Sequence, residues 1–201
     1  IHFGSVPTAL TGHPGSRTTS YISVDSAVDP EWMAAPVPTE HWYMIAGIDV
    51  AADNLHAAAV VAIGDSITDG RGSTTDRHNR WPDILAERLQ ADEATAHVGV
   101  LNQGIGGNAV LAGGLGPTVF KRFKRDVLDQ PGVRYAILLA GVNDIGSSSS
   151  TAIAVNLISV YQHFVEQAHE RGILVYGGTI LPFGGSHYYT PVREQARQMV
   201  N

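Results

Sequence analysis

The pattern of apolar and polar residues changes near residue 58. From Ala59 onward, unbroken apolar runs of strand length alternate with segments whose apolar residues recur at helical spacing. Such alternation is typical of a parallel sheet with helices on both faces. Strands are expected at 59–64, 98–102, 134–140 and 173–176, and helices from Trp81, from Pro117, before Gly172 and from Pro191. The pattern predicts a three-layer α/β/α domain with a parallel sheet over residues 58–201.

Residues 1–57 have a different texture. Prolines stand among Ser, Thr, Gly and His residues, and helical periodicity is absent. Residues 41–50 have the aromatic and β-branched character of a strand. We therefore expect an extended arm, or the tail of a β-rich accessory module with its linker, that packs on the main domain.

Composition and charge exclude several classes of partner. The chain is 44% hydrophobic, and no apolar run is long enough to span a membrane. The net charge is −6, and the one basic cluster, 121–125, has helical spacing and is expected to be a solvated face. Nucleic acid is therefore not an expected partner. The absence of cysteine excludes disulfides and thiolate metal sites.

Unusual sequences follow each predicted strand. They are Gly64-Asp65-Ser66 and the segments 102–108, 141–144 and 177–185. The carboxyl ends of parallel strands share one edge of the sheet, where α/β proteins keep their ligand sites. The alternative for the first segment is a Ser/Asp turn that hydrogen-bonds its own backbone.

These segments contain the groups that acyl transfer needs. Ser66 has a hydroxyl for nucleophilic attack, and its backbone N–H can point toward the oxyanion that forms. Gly107 could present a second N–H without an obstructing side chain, and the Asn143 amide could supply a third donor. Asp65 and Asp144 are expected to fix loops and not to act as catalysts.

The motifs resemble those of the SGNH hydrolases, also called GDSL esterases and lipases. Gly64-Asp65-Ser66, with Ile-Thr-Asp-Gly after it, is similar to the first block of the family. Residues 102–107 are similar to the second, and Gly141-Val142-Asn143-Asp144 matches the third, Gly-x-Asn-Asp. The resemblance implies the flavodoxin-like SGNH fold, Ser66 as nucleophile, and Gly107 and Asn143 as oxyanion donors.

The resemblance also implies a substrate class and a location. The expected substrates are carboxylic esters of carbohydrates, lipids or small aryl and alkyl alcohols, with no cofactor or metal. Transfer of the acyl group to an alcohol instead of water stays open. The chain is similar to bacterial secreted members that have a β-rich module before the hydrolase domain, which implies a secreted location.

The sequence departs from the family at the fifth block. In the family, an Asp-x-x-His supplies the general base, and no such motif follows Asn143 here. We expect the 201 residues to be part of a longer protein, cut before the last strand and nearly inactive alone. His187 stands at the correct edge, but a loop histidine is more typically solvated or lines a substrate site. The alternative function is a non-catalytic binding module on a hydrolase fold.

Two cofactor patterns have a weaker basis. Gly104-x-Gly106-x-x-Ala109 follows a strand, as in a dinucleotide site, but Asp126 at the ribose-binding spacing falls in a predicted helix. A calcium loop starting at Asp65 would have isoleucine at its third position and a strand in place of the first helix. The histidines show no metal-ligand spacing. Neither cofactor nor metal is expected.

Overall fold

The computed structural model describes residue 5 and residues 12–13, 15–23, 35–45 and 47–201. The N-terminal part contains short antiparallel strand pairs. Strand β1 (Gly12–His13) pairs with β4 (Trp42–Tyr43), and β2 (Ser20–Ile22) pairs with β3 (Val37–Thr39).

The strand predicted over residues 41–50 is much shorter in the structure. Among the described residues of this segment, Trp42 and Tyr43 alone are in a strand, because Met44 has φ +63°, in the left-handed region, and ends the extended backbone. Ile48 and Val50 are 81% and 80% exposed. Their β-branched character alone therefore does not make a strand.

A four-stranded parallel sheet forms the centre of the molecule. Its strands are β5 (Ala58–Gly64), β6 (Val98–Gly104), β7 (Val133–Leu139) and β8 (Leu174–Gly177). They lie in the order β6-β5-β7-β8, so that Ala62 is opposite both Asn102 and Ile137. The mixed α/β fold with a parallel sheet is thus confirmed.

Helices connect the strands and cover the sheet. They are α1 (Ser66–Asp69), α2 (Trp81–Gln90), α3 (Val119–Phe123), α4 (Val142–Ser147), α5 (Ala152–Glu170) and α6 (Pro191–Val200). A π-helical turn, Lys124–Leu128, continues α3. In the described part of the chain, no helix is both long and apolar enough to cross a membrane.

The core lies between β5, β7 and the inner faces of α3 and α5. Val61 and Ile63 are fully buried there, and the rings of Phe123 and Phe164 stack with centroids 4.2 Å apart. Right-handed crossovers in this strand order place α2 on one face and α3 and α5 on the other. This packing leaves the carboxyl ends of β5, β6 and β7 as the edge where the connecting loops meet.

The prediction of a solvated basic face at residues 121–125 is wrong for Arg122. This side chain is 1% exposed, because it stands on the same inward face of the helix as Val119 and Phe123. The guanidinium group reaches the ends of the central strands and donates to the carbonyl oxygens of Gly64 and Gln103, each at 2.8 Å. The sheet edge therefore has a buried cation beneath it.

Candidate active site

The turn after β5 places Asp65 and Ser66 at the start of α1. Asp65 caps this helix, and its Oδ1 accepts the backbone N–H of Ile67 at 2.9 Å. Burial raises the pKa of the Asp65 carboxyl to about 6, although the Ile67 N–H opposes this rise. The alternative expected for this segment, a turn that hydrogen-bonds its own backbone, therefore applies to Asp65.

The hydroxyl and the backbone N–H of Ser66 are both free of partners among the described residues. Ser66 is half-buried, and within the described part of the chain neither its Oγ nor its N–H makes a hydrogen bond. In particular, no described histidine hydrogen-bonds its Oγ. His187 is exposed in the loop after β8, with its ring centroid 4.4 Å from that of Tyr188.

The loop after β6 is held tightly against α1. The N–H of Ile105 donates to the Gly64 carbonyl at 3.2 Å, and Asn102 Nδ2 donates to the Thr68 carbonyl at 2.8 Å. A Cβ at Gly104 would overlap the backbone nitrogen of Asp69, so only glycine allows this approach. The backbone that follows, residues 105–108, is thereby positioned beside the helix that begins at Ser66.

Gly107 lies in this loop with a backbone conformation that favours glycine. Its φ is +68°, and a Cβ there would be 3.1 Å from the Leu115 side chain. Its carbonyl accepts the N–H of Leu115 at 2.9 Å, whereas its own N–H donates to no described residue. The half-buried N–H is therefore available to a bound group.

Asn143 connects α4 to the same loop. Its Nδ2 donates to the carbonyl of Asn108 at 2.8 Å, and its Oδ1 accepts the hydroxyl of Tyr188 at 2.8 Å. Because Asn108 directly follows Gly107, the bond from Asn143 holds the segment after β7 (the third loop) against the loop after β6 (the second loop). The structure thus joins the segments that carry Ser66, Gly107 and Asn143.

Asp144 strengthens the contact between these two loops. Burial raises the pKa of its carboxyl, and the N–H groups of Val110 and Leu111 oppose the rise. These N–H groups donate to the two carboxylate oxygens at 2.8 and 2.9 Å. The geometry is that of a residue which fixes loops.

The N-terminal arm contacts the segment that follows Ser66. His13 Nδ1 lies 3.6 Å from Oδ1 of the buried Asp69, and a Cβ at Gly15 would overlap that carboxylate. Farther along, the Asp76 carboxylate accepts both the N–H and the hydroxyl of Thr19, at 2.7 and 2.6 Å. The sequence predicts that the arm packs on the domain, but no local pattern identifies these contact residues.

Sequence reasoning missed Arg122 as part of the site, and it missed the hydrogen bond between Tyr188 and Asn143. Tyr188 lies 45 residues after Asn143, and Arg122 lies 58 residues after Gly64, so only the tertiary structure brings each pair together. The one signal was the interruption of an apolar helix face by Arg122, since a cation at an inward position needs partners.

The Asp126 carboxylate, at the ribose-binding spacing, is bonded to Arg122 and Arg125. Among the described residues, no group of three or more His, Cys, Asp or Glu side chains could hold a metal ion.

Comparisons with known proteins agree with the fold. Residues 62–201 match the model of the GDSL-like Lipase/Acylhydrolase family. One similar solved structure, a protein of the lipolytic G-D-S-L family from Desulfitobacterium hafniense DCB-2, is 24% identical, with a TM-score of 0.53, covering 70% of this chain and 68% of that one. A search of curated protein sequences finds no significant match.

Two esterase structures show the same fold at lower identity. A serine-to-alanine mutant of the esterase AlinE4 is 21% identical, with a TM-score of 0.54, covering 71% of this chain and 68% of that one. A catalytic mutant of Axe2, an acetylxylan esterase from Geobacillus stearothermophilus, is 19% identical, with a TM-score of 0.52 and the same two coverages.

Proposed function

The chain belongs to the GDSL-like lipase/acylhydrolase family, and from this premise we propose that it is a serine esterase. In this proposal it hydrolyses carboxylic esters through an acyl-enzyme on Ser66. The substrates are esters of carbohydrates, lipids or small aryl and alkyl alcohols. Location outside the cell, and a boundary between an accessory arm and the hydrolase domain near residue 57, belong to the same proposal.

The observation that carries the proposal is the hydrogen bond from Asn143 Nδ2 to the Asn108 carbonyl. It holds the amide of α4 next to Gly107, in the loop that packs on the helix beginning at Ser66. The hydroxyl of Ser66 is then available for attack. Three N–H donors, from the backbones of Ser66 and Gly107 and from the free amide hydrogen of Asn143, are suited to stabilise a tetrahedral oxyanion. A loop held only for stability would not need this set.

The reaction follows from these groups. Ser66 Oγ attacks the ester carbonyl carbon, while its proton passes to a general base. The N–H groups of Ser66 and Gly107 and the free N–H of Asn143 stabilise the oxyanion. The carbon–oxygen bond to the alcohol then breaks, and the alcohol leaves with the proton from the base. Water, deprotonated by the same base, attacks the acyl-enzyme, which releases the acid and regenerates Ser66.

The base is the part of the mechanism that the described residues do not supply. No described histidine hydrogen-bonds Ser66, and residues 144–201 contain no Asp-x-x-His. As the resemblance implies, we propose that the base belongs to an Asp-x-x-His segment outside residues 1–201. Loss of a triad member costs roughly 10⁴-fold or more in turnover, so residues 1–201 alone are expected to be nearly inactive.

The second candidate function is a binding module on the hydrolase fold. The unpaired Ser66 Oγ favours it, because a serine without a base is a poor nucleophile. Such a module would bind esters or their alcohol portions without turnover.

The test is labelling with a fluorophosphonate, together with ester hydrolysis, in the full-length protein as the cell makes it. Ser66→Ala should abolish both the single covalent adduct, seen by intact mass, and hydrolysis. The matched control is Ser73→Ala, since Ser73 is a half-buried serine in the following loop whose Oγ donates to the Gly70 carbonyl at 2.6 Å. Hydrolysis that persists in Ser66→Ala would refute the proposal. No adduct and no hydrolysis in the unmutated protein would favour the binding module.

A further inference from the structure

We propose that Tyr188 is a positioning residue that holds the amide of Asn143 in the orientation needed to bind the oxyanion. The inference rests on the proposed function and adds a residue to its site. Its basis is a chain of two hydrogen bonds: the Tyr188 hydroxyl donates to Asn143 Oδ1, and Asn143 Nδ2 donates to the Asn108 carbonyl, each at 2.8 Å.

The partners determine which way the Asn143 amide faces. The Asn108 carbonyl can only accept a hydrogen bond, so the nitrogen of the amide must face it. The oxygen then faces Tyr188, whose hydroxyl donates. One of the two amide hydrogens remains uncommitted, and it is directed away from Asn108. Tyr188 thus fixes the second end of an amide whose first end is fixed by the loop of Gly107.

The ring of Tyr188 is held against α4. A Cβ at Gly146 would be 2.8 Å from this ring, so glycine at that position makes room for it. Gly146 lies on the same short helix as Asn143 and one turn later. Tyr188 is half-buried although its sequence neighbours are exposed, which shows that the loop directs this one side chain inward.

Arg193 fastens the loop that carries Tyr188. Its Nε donates to the Ser148 carbonyl at 2.8 Å, and its Nη1 donates to the Tyr188 carbonyl at 3.2 Å. One guanidinium group therefore joins the end of α4 to the backbone of the loop after β8. The tyrosine and the amide that it orients are parts of one connected unit.

The consequence for the reaction is a loss of preorganisation when the hydroxyl is removed. Without it, the Asn143 side chain can rotate about its bonds, and its free hydrogen is no longer aimed at the oxyanion. Complete removal of one oxyanion donor costs about 10²–10³-fold in kcat, so misorientation is expected to cost about tenfold. KM should change less than about twofold, because the interaction acts in the transition state.

The experiment compares Tyr188→Phe with Tyr189→Phe in the full-length protein, using one p-nitrophenyl ester. Tyr189 is the adjacent tyrosine, 47% exposed, and its replacement should leave kcat unchanged. Both changes are then repeated in an Asn143→Ala background. If Tyr188 acts through Asn143, Tyr188→Phe has no further effect there. An equal fold-loss in both backgrounds, or an unchanged kcat in Tyr188→Phe, would overturn the inference.

A second measurement separates this inference from the proposed function. If Ser66→Ala retains hydrolysis, or if the protein hydrolyses no ester, the esterase proposal fails whatever Tyr188 does. The side-chain amide resonances of Asn143 then test the positioning directly by NMR. Tyr188→Phe should shift or broaden them and Tyr189→Phe should not. Unmoved resonances in Tyr188→Phe would refute the inference independently of activity.

Discussion

The carboxylate of Asp144 accepts the backbone N–H of Val110 at 2.8 Å, across 34 residues of sequence. Its second oxygen accepts the N–H of Leu111 at 2.9 Å. One buried side chain on α4 therefore anchors the backbone that follows the Gly107 loop. The junction of the second and third loops depends on this carboxylate as well as on the amide of Asn143.

Replacement of Asp144 should destabilise the fold in two steps. Asp144→Ala leaves both N–H groups without their acceptor and should lower the free energy of unfolding by about 3 kcal/mol. Asp144→Asn keeps one acceptor oxygen and should cost roughly half as much. Urea unfolding measures both, with Asp129→Ala as control, because Asp129 forms an exposed ion pair with Lys124.

The same variants distinguish a structural from a catalytic Asp144. Because the carboxylate contacts backbone N–H groups, Asp144→Asn should keep measurable esterase activity wherever it stays folded. Complete loss of activity with the unfolding midpoint unchanged would contradict this role.

Asp65 should make stability depend on pH in an unusual direction. Its pKa in the native protein is about 6, against an ordinary value of 3.8. Between about pH 4 and pH 6 the native protein keeps a proton that the unfolded chain has lost, so the free energy of unfolding falls as the pH rises. Above pH 6 the buried carboxylate costs about 3 kcal/mol, since one pKa unit corresponds to about 1.4 kcal/mol.

Asp65→Asn should remove this part of the pH profile. The amide oxygen can still accept the Ile67 N–H, but the side chain has no proton to lose. Unfolding in urea from pH 4 to pH 7 measures the slope. Asp92→Asn is the matched control, since exposed Asp92 accepts the N–H of Ala94 in the same way. A slope that changes no more in Asp65→Asn than in Asp92→Asn would show that Asp65 does not cause it.

Arg122 should be among the most sensitive positions in the chain. Arg122→Met removes a partner of the buried Asp126 carboxylate and a donor to the Gly64 and Gln103 carbonyls. We expect a loss of about 3–5 kcal/mol, as for other broken buried ion pairs. Lys124→Met removes an exposed ion pair on the same segment and should cost less than about 1 kcal/mol.

Thermal or urea unfolding of the two methionine variants decides the point. Similar stabilities would mean that the network around Arg122 contributes little to the fold. A destabilised but folded Arg122→Met should also lose activity, since its partners lie at the ends of β5 and β6.

Two glycines of β6 should respond differently to the same substitution. At Gly104 a methyl group would overlap the backbone of α1, and we expect Gly104→Ala to cost about 3 kcal/mol. At exposed Gly99, a methyl group would be 3.9 Å from the Ala58 carbonyl. Gly99→Ala should change stability by no more than about 0.5 kcal/mol. Equal effects would show that α1 does not pack closely on Gly104.

Hydrophobic periodicity was sufficient to predict the α/β framework. Apolar runs such as that ending at Ile63 became buried parallel strands, and α2, α5 and α6 begin or end where proline and glycine predict. The prediction of a strand over 41–50 failed after Tyr43, because a strand needs a partner and the positive φ of Met44 turns the chain away. Residues 1–4, 6–11, 14, 24–34 and 46 lie outside the described part, so the expectation of an arm or β-rich module is untested there.

The strands of the central sheet, the order of the motifs and the residue types at the sheet edge follow from the sequence alone, because they depend on local periodicity and on contiguous residues. The hydrogen-bond partners depend on the tertiary fold: Arg122 with Gly64, Tyr188 with Asn143, and Asp144 with Val110. These pairs are separated by 34 to 58 residues. A hydrogen bond between such distant residues depends on where the packed core places their backbones, and no short pattern in the chain encodes that.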